Sequence, residues 1–207
     1  MRINEIFYSI QGEGRYIGTP SLFIRTQGCN FRCSFCDTKY TWDIKKGKYY
    51  SIDELVEITK PYKHIVITGG EPLLQKDLED LLFSLKAKEV EVESNGYFYI
   101  DKISNLAHFN ISPKLQYLNK DYLKSLQNWN GKVDFKFVVR DYNDYKLIDK
   151  LVQDYNLKNV ILMPEGVDKD KMLTLTRKMI EWIKEDKGGY RVIPRLHILL
   201  WDNQRSV

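Results

Sequence analysis

The chain has 207 residues, one domain's worth, since domains usually hold roughly 100 to 200. Its 43% apolar and 13% aromatic content excludes a disordered chain, and no uncharged apolar run nears the ~20 residues of a membrane span. A net charge of +4, dispersed along the chain, gives no ground to expect a nucleic-acid partner. Met1-Arg2-Ile3-Asn4-Glu5 lacks a signal-peptide core, so a cytoplasmic location is expected, where cysteines stay reduced.

No repeat or linker divides the sequence, and residues 1–207 read as a single domain. In chain order, strands are expected over residues 3–10 and 22–25, then an exposed lysine-rich loop tip at 45–48, then a strand over 65–68. Leu74, Leu78, Leu81, Leu82 and Leu85 recur at helical spacing. Strands follow over 90–93, 109–112 and 133–139, then a helix on Tyr145, Ile148, Leu151, Val152 and Tyr155. A strand over 160–163, a helix on Met172, Leu175, Met179 and Ile183, and a strand over 196–200 complete the set.

Such alternation implies parallel strands joined by crossover helices. Several strands are apolar on one face and polar on the other: Val90 and Val92 alternate with Glu91 and Glu93, and Val133, Phe135 and Val139 with Asp134 and Lys136. A doubly wound sheet covered by helices on both faces would be apolar on both. A closed eight-stranded barrel fills its interior with branched apolar residues and usually needs about 250 residues. The expected fold is therefore α/β, an incomplete TIM-like barrel with a wet concave face. A one-sided antiparallel sheet is the rival.

The three cysteines fall within eight residues, Cys29-Asn30-Phe31-Arg32-Cys33-Ser34-Phe35-Cys36. An odd, crowded set makes a poor disulfide framework, but one loop of thiolates can wrap one inorganic centre. Structural zinc is closed by four ligands, so zinc needs His64, His108 or His197 as the fourth. A [4Fe-4S] cluster on three cysteines leaves one iron open.

The C-x3-C-x2-C motif, with Phe35 before its last cysteine, resembles the cluster motif of the radical S-adenosylmethionine (SAM) enzymes. The resemblance implies an incomplete barrel of that family, a [4Fe-4S] cluster on Cys29, Cys33 and Cys36, and SAM chelated at the open iron. Reductive cleavage of SAM would yield methionine and a 5′-deoxyadenosyl radical that takes hydrogen from the substrate. Thr68-Gly69-Gly70-Glu71-Pro72 resembles the family's GGEP motif, implying that the backbone at Gly70 and the side chain of Glu71 hold the SAM amino group. Without the resemblance, Glu71 is a helix N-terminal charge before Leu73. Strand-end residues Glu93 and Asn95 are then expected on the ribose, and Ser112, Pro113 and Lys114 toward the carboxylate end. Residues 161–166 match an adenosine contact only loosely.

Phe7-Tyr8-Ser9-Ile10-Gln11-Gly12-Glu13-Gly14-Arg15, taken alone, reads as a solvated hairpin tip. Together with Arg25 and Cys36-Asp37-Thr38-Lys39-Tyr40-Thr41-Trp42, it makes the whole chain resemble the 7-carboxy-7-deazaguanine synthases of the queuosine and 7-deazapurine pathway. The resemblance implies ring contraction of 6-carboxy-5,6,7,8-tetrahydropterin with loss of ammonia. It places the substrate on Ile10, Gln11, Gly12, Glu13, Arg25, Thr68, His197 and Val207, and Mg2+ on Thr38. A carboxylate and an amide suit a pterin edge, and the Arg25 fork suits a carboxylate. A flavodoxin- or ferredoxin-type electron donor and a homodimer also follow from the resemblance. Arg195, ahead of Leu196-His197, departs from the pattern with no role assigned. The alternatives are a glycyl-radical-enzyme activase of the same family and a non-catalytic zinc module.

Overall fold

In the computed structural model, which describes residues 1–207, a nine-stranded sheet runs in the order β3-β1-β2-β4-β5-β6-β7-β8-β9. β1 (Arg2–Ile10) and β2 (Pro20–Thr26) form an antiparallel hairpin, and β3 (Lys48–Tyr49) adds antiparallel to β1. From β2 onward every pairing is parallel, through β4 (His64–Gly69), β5 (Glu89–Ser94), β6 (His108–Ile111), β7 (Asp134–Val139), β8 (Val160–Pro164) and β9 (Arg191–Val192). The expected parallel strands with crossover helices run from β2 to β9, and the antiparallel β1 and β3 extend the sheet at one edge. Lys48, expected in a loop tip, pairs with Ile3 instead.

The helices α1 (Ile52–Thr59), α2 (Leu78–Ser84), α3 (Lys120–Trp129), α4 (Tyr142–Tyr155) and α5 (Lys169–Asp186) lie between the parallel strands in sequence. The outer strand face packs on them in one core that includes Ile65, Ile67, Val92, Phe109, Phe135 and Phe137 with Leu81, Leu82, Leu126, Trp129, Tyr145 and Ile148. Each such side chain contributes roughly 1.5–3 kcal/mol by burial. Neither α1 nor α3 was expected from spacing. The signal for α1 is its capping box, in which Ser51 Oγ accepts from Glu54 N at 3.2 Å and Ser51 N donates to Glu54 Oε2 at 2.7 Å.

Residues 196–200 are helical, not extended: α6 (Leu196–Trp201) buries Ile198 at 1% exposure and leaves Leu200 at 53%. The run is too short for periodicity to separate strand from helix, and β9 already takes the sheet edge.

The sheet curls. Ile17, in the β1–β2 loop, packs against Ile161, Met163 and Ile193 from the opposite end of the strand order, which a flat sheet forbids. The inner face of the resulting open barrel is polar around β5, β6 and β7, as the alternation predicted. It is wet only in its upper layer, however, because Glu91, Asn110, Asp134 and Lys136 are all buried and paired with one another or with the β1–β2 loop. No helix is long and apolar enough to cross a membrane.

Candidate active site

A cavity of about 540 Å³ opens at the C-terminal ends of the parallel strands, and Cys29, Cys33 and Cys36 line it together. The loop that carries them leaves β2 through Gly28, whose φ of +97° suits glycine and whose N–H donates to Thr41 O at 2.7 Å. Phe31 stacks on Tyr117 with ring centroids 4.1 Å apart, and Phe31 N donates to Cys29 Sγ at 3.4 Å. All three thiols are free. Burial, with the neighbouring thiols adding to it, pushes Cys29 up to about 11, and burial also raises Cys33. Three free thiols on one loop, two of them held protonated chiefly by burial, fit a cationic centre that would bind them as thiolates.

The Gly69-Gly70 turn presses against this loop. A Cβ on Gly70 would lie 2.1 Å from Gly28 O, and one on Gly69, at φ +141°, 2.4 Å from Thr26 O. Thr68 and Gly70 line the cavity, but Glu71 does not. Glu71 is fully buried, accepting from Leu73 N at 3.0 Å, Ser94 Oγ at 2.8 Å and Asn95 N at 2.7 Å. Glu71 thus staples the end of β4 to the end of β5, and the backbone of Gly69 and Gly70 lines the cavity.

Glu93, Asn95, Ser112 and Lys114 line the cavity, whereas Pro113 does not. Asn95 Nδ2 donates to Asn30 Oδ1 at 2.8 Å, tying the end of β5 to the cysteine loop. Lys114 Nζ donates to Ser112 Oγ at 2.7 Å; burial lowers its pKa, and the nearby Cys33 sulfur opposes this.

The Gln11–Arg15 segment is no solvated hairpin tip. It folds into the barrel, where a Cβ on Gly12 would lie 2.2 Å from His197 Nδ1 and one on Gly14, at φ +70°, 2.1 Å from Asn110 Nδ2. Its two glycines are therefore set by close approach. Ile10, Gln11, Gly12 and Glu13 line the cavity. Burial pushes the Glu13 carboxyl up, but Lys136 and Arg195 overcome it and hold it well below the usual range. Lys136 Nζ lies 2.5 Å from Glu13 Oε2, and Arg195 Nε 3.1 Å from Glu13 Oε1. Arg195 also bonds Asp37 through Nη2 and donates to Gly166 O at 2.9 Å. The residue that stood out as a departure is a buried clamp on the cavity wall. His197 lines the same wall, and burial lowers its pKa.

Arg25 also lines the cavity, with Nε donating to Glu5 Oε1 at 2.6 Å and its terminal nitrogens left without protein partners. Glu5 also accepts from Tyr40 Oη at 3.0 Å, Arg205 Nε at 2.9 Å and Ser206 Oγ at 2.7 Å. These bonds carry residues 203–207, Val207 among them, to the cavity rim. Thr38 lines the cavity with Oγ1 3.6 Å from Cys36 Sγ. The donor atoms of Glu13, Asp37 and His197 lie within 4.8 Å of one another, but Arg195 already bonds both carboxylates.

Lys136, Arg195, Asp37 and Glu5 are the site residues that sequence reasoning left unassigned. Lys136 was visible only as one polar alternation in a strand. His64 pairs with Ser21 Oγ at 2.8 Å and His108 faces Asp134 at 3.1 Å, and neither lines the cavity that holds the cysteines. A fourth zinc ligand from either is thus excluded by position.

The radical SAM superfamily model matches residues 23–179. The 7-carboxy-7-deazaguanine synthase of Pyrobaculum aerophilum is 35% identical over 224 aligned residues, covering 100% of this chain and 97% of that protein. The one from Thermoplasma acidophilum is 33% identical over 220 residues with 100% of both chains covered. Among solved structures, QueE from Escherichia coli superposes with a TM-score of 0.70 at 27% identity, covering 95% of this chain and 94% of that one. The SAM-bound SuiB of Streptococcus suis, at 12% identity and a TM-score of 0.61, shares the fold alone. The cysteine loop, the glycine turn and the inward Gln11–Arg15 loop thus occur in a chain that belongs to the radical SAM superfamily and, within it, to the 7-carboxy-7-deazaguanine synthase family.

Proposed function

We propose that the chain converts 6-carboxy-5,6,7,8-tetrahydropterin to 7-carboxy-7-deazaguanine with release of ammonia, as a step in 7-deazapurine or queuosine biosynthesis. The observation that carries this reading is the convergence of Gln11, Glu13 and Arg25 on the cavity that also holds the three cysteines. A protein-activating enzyme has no use for such a pterin-sized set.

Cys29, Cys33 and Cys36 would hold the [4Fe-4S] cluster, with SAM against Gly70, Glu93, Asn95, Ser112 and Lys114. When bound, cluster and SAM supply the hydrogen-abstracting radical. The chain's own residues bind and orient. The ionised Glu13 and the Gln11 oxygen accept from ring N–H donors, and Arg25 takes the substrate carboxylate through its free terminal nitrogens. Thr68, His197 and Val207 close the pocket. Thr38 would supply an oxygen ligand to Mg2+, completed by substrate carboxylate and water. Because Arg195 neutralises the Glu13 and Asp37 carboxylates, Thr38 rather than that pair is the natural magnesium ligand. A flavodoxin- or ferredoxin-type reductant, a homodimer and a cytoplasmic location complete the proposal.

The test is anaerobic incubation of reconstituted protein with carboxytetrahydropterin, SAM and a reductant. The deazapurine should form without net loss of SAM. Methionine released in step with product would count against the reading. Cys33→Ala should lose both iron and activity, and a preparation holding one zinc and no iron would favour a zinc module instead.

A further inference from the structure

Beneath the cavity floor lies a second polar layer that the proposed function leaves unused. Glu91 and Asn110 are fully buried and neither reaches the cavity. They hold Gln11 from below. Gln11 Nε2 donates to Glu91 Oε2 at 2.6 Å and to Glu93 Oε1 at 3.2 Å. Asn110 Nδ2 donates to Glu93 Oε1 at 2.8 Å and to Glu91 Oε1 at 3.5 Å. The Glu93 carboxylate, paired with Lys136 and already accepting from Asn110, dictates which way the Gln11 amide faces, since the amide oxygen in place of Nε2 would meet an acceptor at Glu93 Oε1. The Gln11 oxygen is therefore turned outward, where Glu13 N donates to it at 3.3 Å and its second lone pair stays free.

Burial, and then the Glu93 charge, push Glu91 up to about 8, which favours its neutral form. Glu93 itself is paired with Lys136 at 2.7 Å. The layer holds Gln11 without leaving an unmatched buried charge below it.

We propose that Glu91 and Asn110 are positioning residues that set the specificity of the cavity. By fixing the Gln11 amide with its oxygen beside the Glu13 carboxylate, they present two adjacent acceptors that select a flat ring edge with adjacent N–H donors. The amino and ring N–H of a pterin have this form, so the inference rests on the functional reading above. An analogue without the amino group leaves a buried acceptor unmatched, and sites built on such hydrogen bonds reject such analogues strongly.

The experiment measures binding, not turnover: anaerobic calorimetric titration of cluster-loaded protein, with SAM and no reductant, by carboxytetrahydropterin and by its 2-desamino analogue. Glu91→Leu, which removes the acceptor, should raise the Kd of the pterin about 10-fold or more and shrink its preference over the analogue by a similar factor. Its SAM affinity should stay within about 2-fold of the unmodified protein. Glu91→Gln, a neutral isostere, should restore pterin affinity to within about 3-fold. Asn110→Ala is run in parallel with thermal unfolding of each variant, and should lose preference in the same direction if Glu91→Leu does not fold. Unchanged affinity and preference in folded Glu91→Leu or Asn110→Ala overturns the inference, as does Glu91→Gln behaving like Glu91→Leu. An unmodified protein that fails to bind the pterin at all overturns the functional reading with it, and the two failures are told apart by that control.

Discussion

Lys136 Nζ lies 2.5 Å from Glu13 Oε2, joining β7 to a loop 123 positions earlier in the chain. The same nitrogen lies 2.7 Å from Glu93 Oε2, so one ammonium holds two carboxylates on the cavity wall. Burial alone would pull the lysine down, but Glu13 and Glu93 outweigh it and its pKa is raised, while Glu13 is held well below its usual range. Removing one partner of a buried pair leaves an uncompensated charge.

Lys136→Met should therefore lose roughly 3–5 kcal/mol of stability, ~6 to 20 °C in Tm for a chain of this size. The sign of the pH dependence follows from the two directions. Glu13, depressed on folding, contributes stability that is present above about pH 4.3 and lost as pH falls through its folded value. Lys136, raised on folding, contributes stability that is full below about pH 10.4 and lost as pH rises through its folded value. The Tm gap between the unmodified protein and Lys136→Met should be widest between these limits and narrow at both ends. A gap that is flat with pH would show that the pair carries no such linkage.

The loop that reaches Lys136 holds two left-handed glycines, only one of them crowded. Gly14→Ala puts a Cβ at φ +70° and 2.1 Å from Asn110 Nδ2, whereas Gly18→Ala, at φ +90°, meets nothing within 4 Å. Both changes incur the backbone term of about 1 kcal/mol, and only Gly14→Ala adds a clash of about 1–3 kcal/mol. Thermal unfolding should rank them so. Gly14→Ala should also weaken pterin binding with iron content unchanged, and equal Tm losses at the two positions would contradict the packing described.

The parts of the molecule legible in the sequence are those whose signal is local. Cys29, Cys33 and Cys36 share one loop, and the outward faces of β5 to β7 announce themselves by alternation. The parts that were not legible depend on pairing across the chain. Arg195 meets Glu13 from 182 positions away, and although His197 beside it was expected in the pocket, no local pattern pairs Arg195 with Glu13. Glu71 is the opposite case. Its motif is local, but its burial depends on Ser94 and Asn95 arriving from the next strand. Residues 196–200 became a helix because the sheet edge was taken by Arg191–Val192, a fact no five-residue pattern contains.

Glu5 ties the chain's last residues to Arg25. Burial raises its carboxyl, but Ser206, Arg25 and Arg205 together bring it below its ordinary value. Glu5→Ala should free residues 203–207 and release Arg25 from its 2.6 Å bond. Carboxypeptidase should then trim the C-terminus faster, and KM for the pterin should rise about 10-fold with SAM affinity unchanged, the loss of one charge-assisted bond being worth about 1.5–3 kcal/mol. Trimming at the rate of the unmodified protein would show that Glu5 does not hold the tail.

Glu71 distinguishes a ligand contact from a staple. Its three acceptor bonds, to Leu73 N, Ser94 Oγ and Asn95 N, are all internal. In Glu71→Gln an amide N–H₂ replaces one acceptor oxygen and faces a donor, so stability should fall by about 1–3 kcal/mol. SAM affinity should fall only as far as the Gly69–Gly70 turn and Asn95 shift. Glu71→Asp should rescue neither, because the shorter side chain cannot span from β4 to Asn95 N while keeping Leu73 N. A carboxylate that held the SAM amino group directly would show the reverse pattern in Glu71→Gln, with weakened SAM binding at an unchanged Tm. Calorimetry and thermal unfolding on the same preparation separate the two, and the full burial of Glu71 places the expected loss in the melting curve.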